Sequence, residues 1–161
     1  MNSLRIFATS VLVTAGLATF AAAQEKPSVV TMAESKFSTP TGFPPCVTTA
    51  VQRGDPTKGP SVILTKLAGR CLTPWHWHTT NEGGIVVKGK IELEIKGEAT
   101  KTLVPGDYFY NPSKHLHQTT CLSECILSTT SDRARDVHYV DTEGKEIPPE
   151  QALRATPGKG E

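Results

Sequence analysis

The chain has 161 residues, 17 basic and 16 acidic side chains and a formal net charge of +1, with no basic stripe or block of like charge. That balance argues against nucleic acid or a membrane surface as a partner. The length is that of one domain with a substantial core.

Met1 to Arg5 is a short positive start, Ile6 to Phe20 is an apolar run, and Ala21-Ala22-Ala23 offers a small-residue cleavage site. Residues 1–23 therefore read as a signal peptide, with a mature start near Gln24. The run is too short and too rich in Ala, Thr and Gly for a transmembrane helix. Removing it leaves 138 residues, and since it contains only one charged residue, Arg5, 16 basic side chains then face 16 acidic ones. The expected location is exported, periplasmic or secreted, with no membrane attachment after cleavage.

Residues 24–41 are polar and aperiodic, as in a linker or an arm that orders on a neighbouring subunit. Over 42–141 short strands alternate with turn residues. Val47 to Arg53 is followed by the dense turn signal Gly54 to Pro60, then by the β-branched run Ser61 to Leu67. Gly84 to Lys88 and Ile91 to Ile95 flank Gly89-Lys90, and Ile91, Leu93 and Ile95 alternate with charged residues, the mark of a half-buried strand. Thr100 to Val104, Tyr108 to Asn111, His115 to Thr120, Cys125 to Thr130 and Val137 to Val140 complete the set. In the tail, 142–161, Pro148 to Arg154 is placed to start a short helix. No amphipathic helix of ten or more residues occurs in the mature core, so the fold class is all-β, a sandwich or barrel in a single domain.

Export places Cys46, Cys71, Cys121 and Cys125 in an oxidising compartment, where an even count means disulfides. Three connectivities are open. An extended strand would hold Cys121 and Cys125 about 13 Å apart, and a bond needs their Cα atoms within about 7 Å. A tight turn at Leu122-Ser123-Glu124 would allow that pair, leaving Cys46 with Cys71. The rival, a zinc cluster of four thiolates, lacks any CxxC spacing.

The richest stretch is Pro74-Trp75-His76-Trp77-His78-Thr79-Thr80-Asn81-Glu82. On a strand His76 and His78 share one face, and Trp75 and Trp77 take the other. Glu82 follows closely enough to return to the histidine side. With His117 from a second strand, three imidazoles and a carboxylate converge, which is the composition of a metal site.

These residues resemble the two motifs of the cupin superfamily, G-x5-H-x-H-x3,4-E-x6-G and G-x5-P-x-G-x2-H-x3-N. The first is matched by His76, His78, Glu82 and Gly89, although six residues separate Gly69 from His76 instead of five. The second is matched by Gly106, Pro112 and His117. Lys114 replaces its glycine and Cys121 its asparagine. The resemblance spans about 42–141 and is similar to small exported single-domain cupins. It implies a cupin-like jelly roll, or double-stranded β-helix barrel, a homodimer, and His76, His78, Glu82 and His117 as metal ligands.

Such a set suits one divalent transition metal ion, whether Fe, Mn, Zn, Ni, Co or Cu. On a six-coordinate ion it leaves two positions open for substrate or dioxygen; as four ligands around zinc it would be closed and structural. His115, Tyr108, Tyr110 and Lys114 are candidate pocket residues, and no catalytic residue is assigned. The expected function is a small-molecule metalloenzyme of oxygenase or oxidoreductase type acting on a small-molecule ligand. The alternative is a non-catalytic module that binds metal or a small ligand.

Overall fold

Short β-branched and aromatic runs punctuated by Gly and Pro form strands here as their alternation requires. The computed structural model describes residues 26–154, so the expected signal segment and the last seven residues of the chain lie outside the described residues. The strands are β1 (Val47–Gly54), β2 (Ser61–Leu67), β3 (Leu72–Trp77), β4 (Glu82–Lys88), β5 (Ile91–Ile95), β6 (Lys101–Leu103), β7 (Tyr108–Asn111), β8 (His117–Cys121), β9 (Cys125–Ser131), β10 (His138–Val140) and β11 (Glu146–Ile147). Among the described residues one helix, α1 (Pro149–Arg154), follows with Pro149 at its start, where a missing N–H costs nothing.

One sheet has the order β1-β2-β9-β4-β7, the other β11-β10-β3-β8-β5-β6. Among the described residues every strand pairing is antiparallel. The chain changes sheet at β2–β3, β3–β4, β4–β5, β6–β7, β7–β8, β8–β9 and β9–β10, which is the winding of a jelly roll. At the β4–β5 corner Gly89 has φ +83, and a Cβ there would lie 2.2 Å from the Glu124 carbonyl oxygen. Only glycine fits that corner.

One end of the barrel is filled by Val47, Leu67, Cys71, Val86, Ile91, Cys121, Cys125 and Leu127, with Phe43, Cys46 and Leu103 packed on them. Cys46 is joined to Cys71 and Cys121 to Cys125, with Cα separations of 5.7 and 6.0 Å. Leu122 to Glu124 makes the turn that the second pairing needs. The other end of the barrel is polar and carries the histidines.

Two segments differ from expectation. The strand expected from His115 starts at His117, because the His115 N–H donates to the Pro112 carbonyl and closes a turn. The arm lies on its own chain: Ser38 bridges Thr49, and Gln52 Nε2 donates to Ser35 Oγ.

Candidate metal centre

Cross-strand register assembles the site. His76 of β3 is directly opposite His117 of β8 and Tyr139 of β10, and opposed residues share a face. Between Thr73 and His76 the β3–β8 register slips: three steps along β3 match two along β8, from Thr119 to His117. That is a β-bulge at Pro74 and Trp75, which re-aims the following side chains. His78 lies just past the end of β3 and is buried, as are His76 and His117. Glu82 starts β4 on the opposing sheet, between Asn111 of β7 and Ser131 of β9.

Each ring is fixed by a backbone carbonyl. His76 Nδ1 bonds Pro74 O at 2.6 Å, His78 Nδ1 bonds Asp136 O at 2.5 Å, and His117 Nδ1 bonds His115 O at 2.9 Å. A carbonyl only accepts, so each Nδ1 carries a proton, and in the neutral ring Nε2 keeps a free lone pair. One ligand atom from each ring lies within 4.8 Å of the others, a group able to hold a metal ion. Burial, then the neighbouring His117 and His78, pushes the His76 pKa well below its ordinary value; burial also lowers that of His117. Both rings stay neutral at physiological pH, as ligation requires.

Glu82 lies beside two of the three rings. Its Oε2 lies 3.8 Å from His78 Nε2 and 3.7 Å from His117 Nε2, and Asn111 Nδ2 donates to it at 3.4 Å. Its Oε1 is held by Arg135 Nη2 at 2.5 Å. Burial alone would raise this carboxyl, but favourable electrostatics with the neighbouring rings and with the Arg135 guanidinium outweigh it and hold the pKa at about 2. Asn111 Oδ1, buried beside this carboxylate, has no hydrogen-bond partner. Three free imidazole nitrogens and one oriented carboxylate oxygen fit a divalent transition ion.

The cluster forms the floor of a cavity of about 410 Å³. Its wall includes Phe43, Ile63, Leu67, Phe109, Leu127 and Val137, with Thr49, Thr65, Thr73, Thr119 and Thr129 interleaved. Phe109 lies against Gly84, where a Cβ would sit 2.4 Å from its ring. Pro40 and Thr41, from the expected linker, also line this space.

The four expected pocket residues are not in that wall. Tyr108 and Tyr110 are 63% and 50% exposed, because the alternation that turns Phe109 inward turns them out. Lys114 and His115 are exposed on the turn before β8; His115 serves the site through its carbonyl. Trp77 stacks on His138 at 3.9 Å on the outer face. Sequence reasoning missed Arg135 and Asp136, which hold Glu82 and His78 from the loop after β9. The signal was the charged run Asp132-Arg133-Ala134-Arg135-Asp136 behind an apolar strand.

Two of the three motif departures have a common cause. The residue separated from His76 by the motif's five is Arg70, and it takes φ +60; Lys114 takes φ +64. The left-handed turns that the motif glycines serve are present, occupied by long side chains. Arg70 N–H donates to Cys121 O, and Lys114 N–H to His78 O, each at 2.8 Å.

Residues 63–129 match the family model described as a cupin domain. An acetylacetone dioxygenase from Acinetobacter johnsonii shares the fold at a TM-score of 0.61 and 18% identity, over 88% of this chain and 99% of that one. An RmlC-like cupin from Shewanella frigidimarina gives 0.59 and 18%, over 69% and 95%. KdgF from Halomonas sp. gives 0.56 and 23%, over 66% and 95%. No curated protein matches the sequence. The domain match over residues 63–129, the jelly-roll winding and these structural likenesses together show the cupin fold.

Proposed function

We propose that this chain is an exported, metal-dependent enzyme of oxygenase type, in which His76, His78, His117 and Glu82 hold one divalent ion and the cavity above them takes a small organic substrate. The observation that carries this reading is the tautomer lock: three separate backbone carbonyls fix three Nδ1 protons, so three Nε2 lone pairs face one point. Locks of this kind orient ligands to a metal. An ion in such a site supplies Lewis acidity and, if redox-active, electrons for dioxygen chemistry. The chain's own part is to present four donors, hold Glu82 ionised through Arg135, and keep bulk water off the substrate with an apolar wall. The likeness to an acetylacetone dioxygenase over 88% of the chain supports the oxygenase class. The cavity opening onto the donors weighs against a closed structural zinc site.

Residues 1–23 are read as the signal that directs export, 24–41 as an arm, 42–141 as the catalytic barrel and 142–161 as a tail, with two copies forming a homodimer. The disulfides support an oxidising compartment. Elemental mass spectrometry of protein purified from its own compartment tests the metal reading. About one equivalent of a redox-active ion, absent from His76→Ala/His117→Ala, is expected, followed by oxygen uptake in a substrate screen. A wild-type protein that is empty and refuses added Fe(II), Mn(II), Co(II), Ni(II), Cu(II) and Zn(II) overturns it.

A further inference from the structure

Two of the three rings are held by their own chain segment and one is not. His76 and His117 each bond the carbonyl two residues earlier, that of Pro74 and that of His115. Those contacts come with the local backbone. His78 lies past the end of β3, and its carbonyl partner, Asp136, is 58 residues away in sequence. Asp136 sits on the irregular stretch between β9 and β10, beyond residues 63–129, which carry the domain match. The direction of the His78 ring therefore depends on what fixes residue 136.

Asp136 grips two consecutive residues. Its carbonyl accepts from His78 Nδ1 at 2.5 Å, and its carboxylate accepts from Thr79 N and Oγ1 at 2.8 and 2.5 Å. These contacts orient His78 only if Asp136 is itself held. His138 holds it from the other side: Nδ1 donates to Glu146 Oε1 at 2.8 Å, and Nε2 donates to Asp136 Oδ2 at 3.3 Å. The second distance is long for a hydrogen bond, but a carboxylate acceptor strengthens it. The ring is fixed in that place by Trp77, on which it stacks with centroids 3.9 Å apart and planes 7° from parallel. Trp77 is its cross-strand partner and also the residue before His78. Glu146 is brought alongside by the β10–β11 pairing, Tyr139 with Ile147 and Val140 with Glu146. Residues 77–79 and 136–138 are thus clasped at both ends, by the Trp77–His138 stack and the Asp136–Thr79 bonds, with His78 between the clasps.

Resting on the metal reading above, we propose that His138 is a positioning residue of the metal centre, which sets the direction of the His78 ring through Asp136 from the C-terminal β10–β11 hairpin. Packing on Trp77 would need only an aromatic ring at position 138. Positioning needs, in addition, two hydrogen bonds from that ring to two carboxylates. The working unit of the site then extends past the matched domain to Glu146.

Three variants separate positioning from packing. His138→Phe keeps the stack and removes both bonds. His138→Arg keeps a planar group that stacks on an indole and donates to both carboxylates. Glu146→Gln, at an exposed position, weakens one bond only. Co(II) affinity is measured against a competing chelator, and the histidine ring C–H signals are recorded in metal-free protein, where they report ring orientation with no ion present. His138→Phe is expected to bind cobalt about tenfold more weakly, the scale of losing a group that orients a ligand. His138→Arg should recover most of that loss, and Glu146→Gln should lose less than His138→Phe. In metal-free His138→Phe the His78 signals are expected to shift and broaden, while those of His76 and His117 stay as in the wild type.

Wild-type cobalt affinity in His138→Phe, no recovery in His138→Arg, or equal movement of all three rings overturns the inference. Should His138→Phe fail to fold, Glu146→Gln decides alone, and wild-type affinity with unmoved His78 signals overturns it. A wild type that refuses cobalt overturns the metal reading instead, and the metal-free ring signals still decide the role of His138.

Discussion

The two ends of the barrel solve opposite problems. At the closed end, Val47, Leu67, Val86, Ile91 and Leu127 pack around two disulfides, and almost every buried atom there is apolar. Burying each such side chain contributes about 1.5–3 kcal/mol. At the open end three loops are tied by polar contacts instead. Thr80 Oγ1 and Asn81 Nδ2 donate to Asp132 at 2.7 and 2.5 Å, Ser113 N–H donates to Asn81 Oδ1 at 2.9 Å, and Thr79 is held by Asp136. Net gains from such bonds are small, but they are directional. The closed end thus supplies stability without orientation, and the open end fixes three rings and a carboxylate that packing alone would leave free to rotate. Preorganised sites are built in this way, with rigidity borrowed from elsewhere in the fold.

The widest separation of the two ends should come from ligation. A metal that binds only the folded protein stabilises it by about 4 kcal/mol at a thousandfold excess over its Kd. Denaturant unfolding with and without the ion should show that gain in the wild type and none in His76→Ala/His117→Ala. The closed end should give the reverse pattern. Cys46→Ala/Cys71→Ala opens a loop of sequence separation 25 and is expected to cost about 3 kcal/mol, while one equivalent of metal is still bound at saturation. Metal loss in that variant at temperatures where it stays folded would mean the two ends are not independent.

Acid should discriminate the ends next. The closed cluster contains no titrating group, whereas the open end contains several. His76 and His117 have folded pKa values below 6.5, so the unfolded chain takes up their protons first, and metal-free stability falls as pH drops below 6.5. Glu82, held at about 2, contributes stability that is present above 4.5 and lost as pH falls from there towards 2. His138 runs the other way. Burial lowers its pKa, but the hydrogen bonds it donates to Glu146 and Asp136 outweigh that and raise it; its contribution is present below 6.5 and lost as pH rises through the folded value. A slope of order 1 kcal/mol per pH unit is expected just below 6.5, and His76→Ala/His117→Ala should flatten it. An unchanged acid limb in that variant would assign the loss to other groups.

The sequence revealed different amounts of the two ends. Strand alternation is a local property, so β1, β2, β5, β7 and β9 were legible within a residue or two, and the His-x-His spacing put His76 and His78 on one face. The tight turn at Leu122–Glu124 was legible from the distance limit on a disulfide. Arg135 and Asp136 were not, because they act from a loop whose position depends on β9 and β10 pairing with distant strands. Tyr108 and Tyr110 were misplaced for a related reason: period-two alternation says which residues share a face, but not which face is inside. Phe109 resolves it through Gly84, the one residue that leaves room for its ring.

The smallest expected effect compares the same backbone device at the two ends. Arg70 beside the closed cluster and Lys114 beside His78 both sit in the left-handed region, which costs an L-residue roughly 1–2 kcal/mol. Glycine removes that strain and returns part of the gain as chain entropy in the unfolded state, roughly 0.5–1 kcal/mol. Arg70→Gly and Lys114→Gly should therefore each raise stability by about 0.5–1 kcal/mol in denaturant melts. Their N–H bonds to Cys121 and His78 survive, since both use the backbone, so metal affinity should hold within about threefold. A loss of stability in Lys114→Gly alone would show that its side chain contributes to the open end beyond the turn it occupies. The same loss in Arg70→Gly would say so of the closed end, whose packing gives the Arg70 side chain no charge to meet.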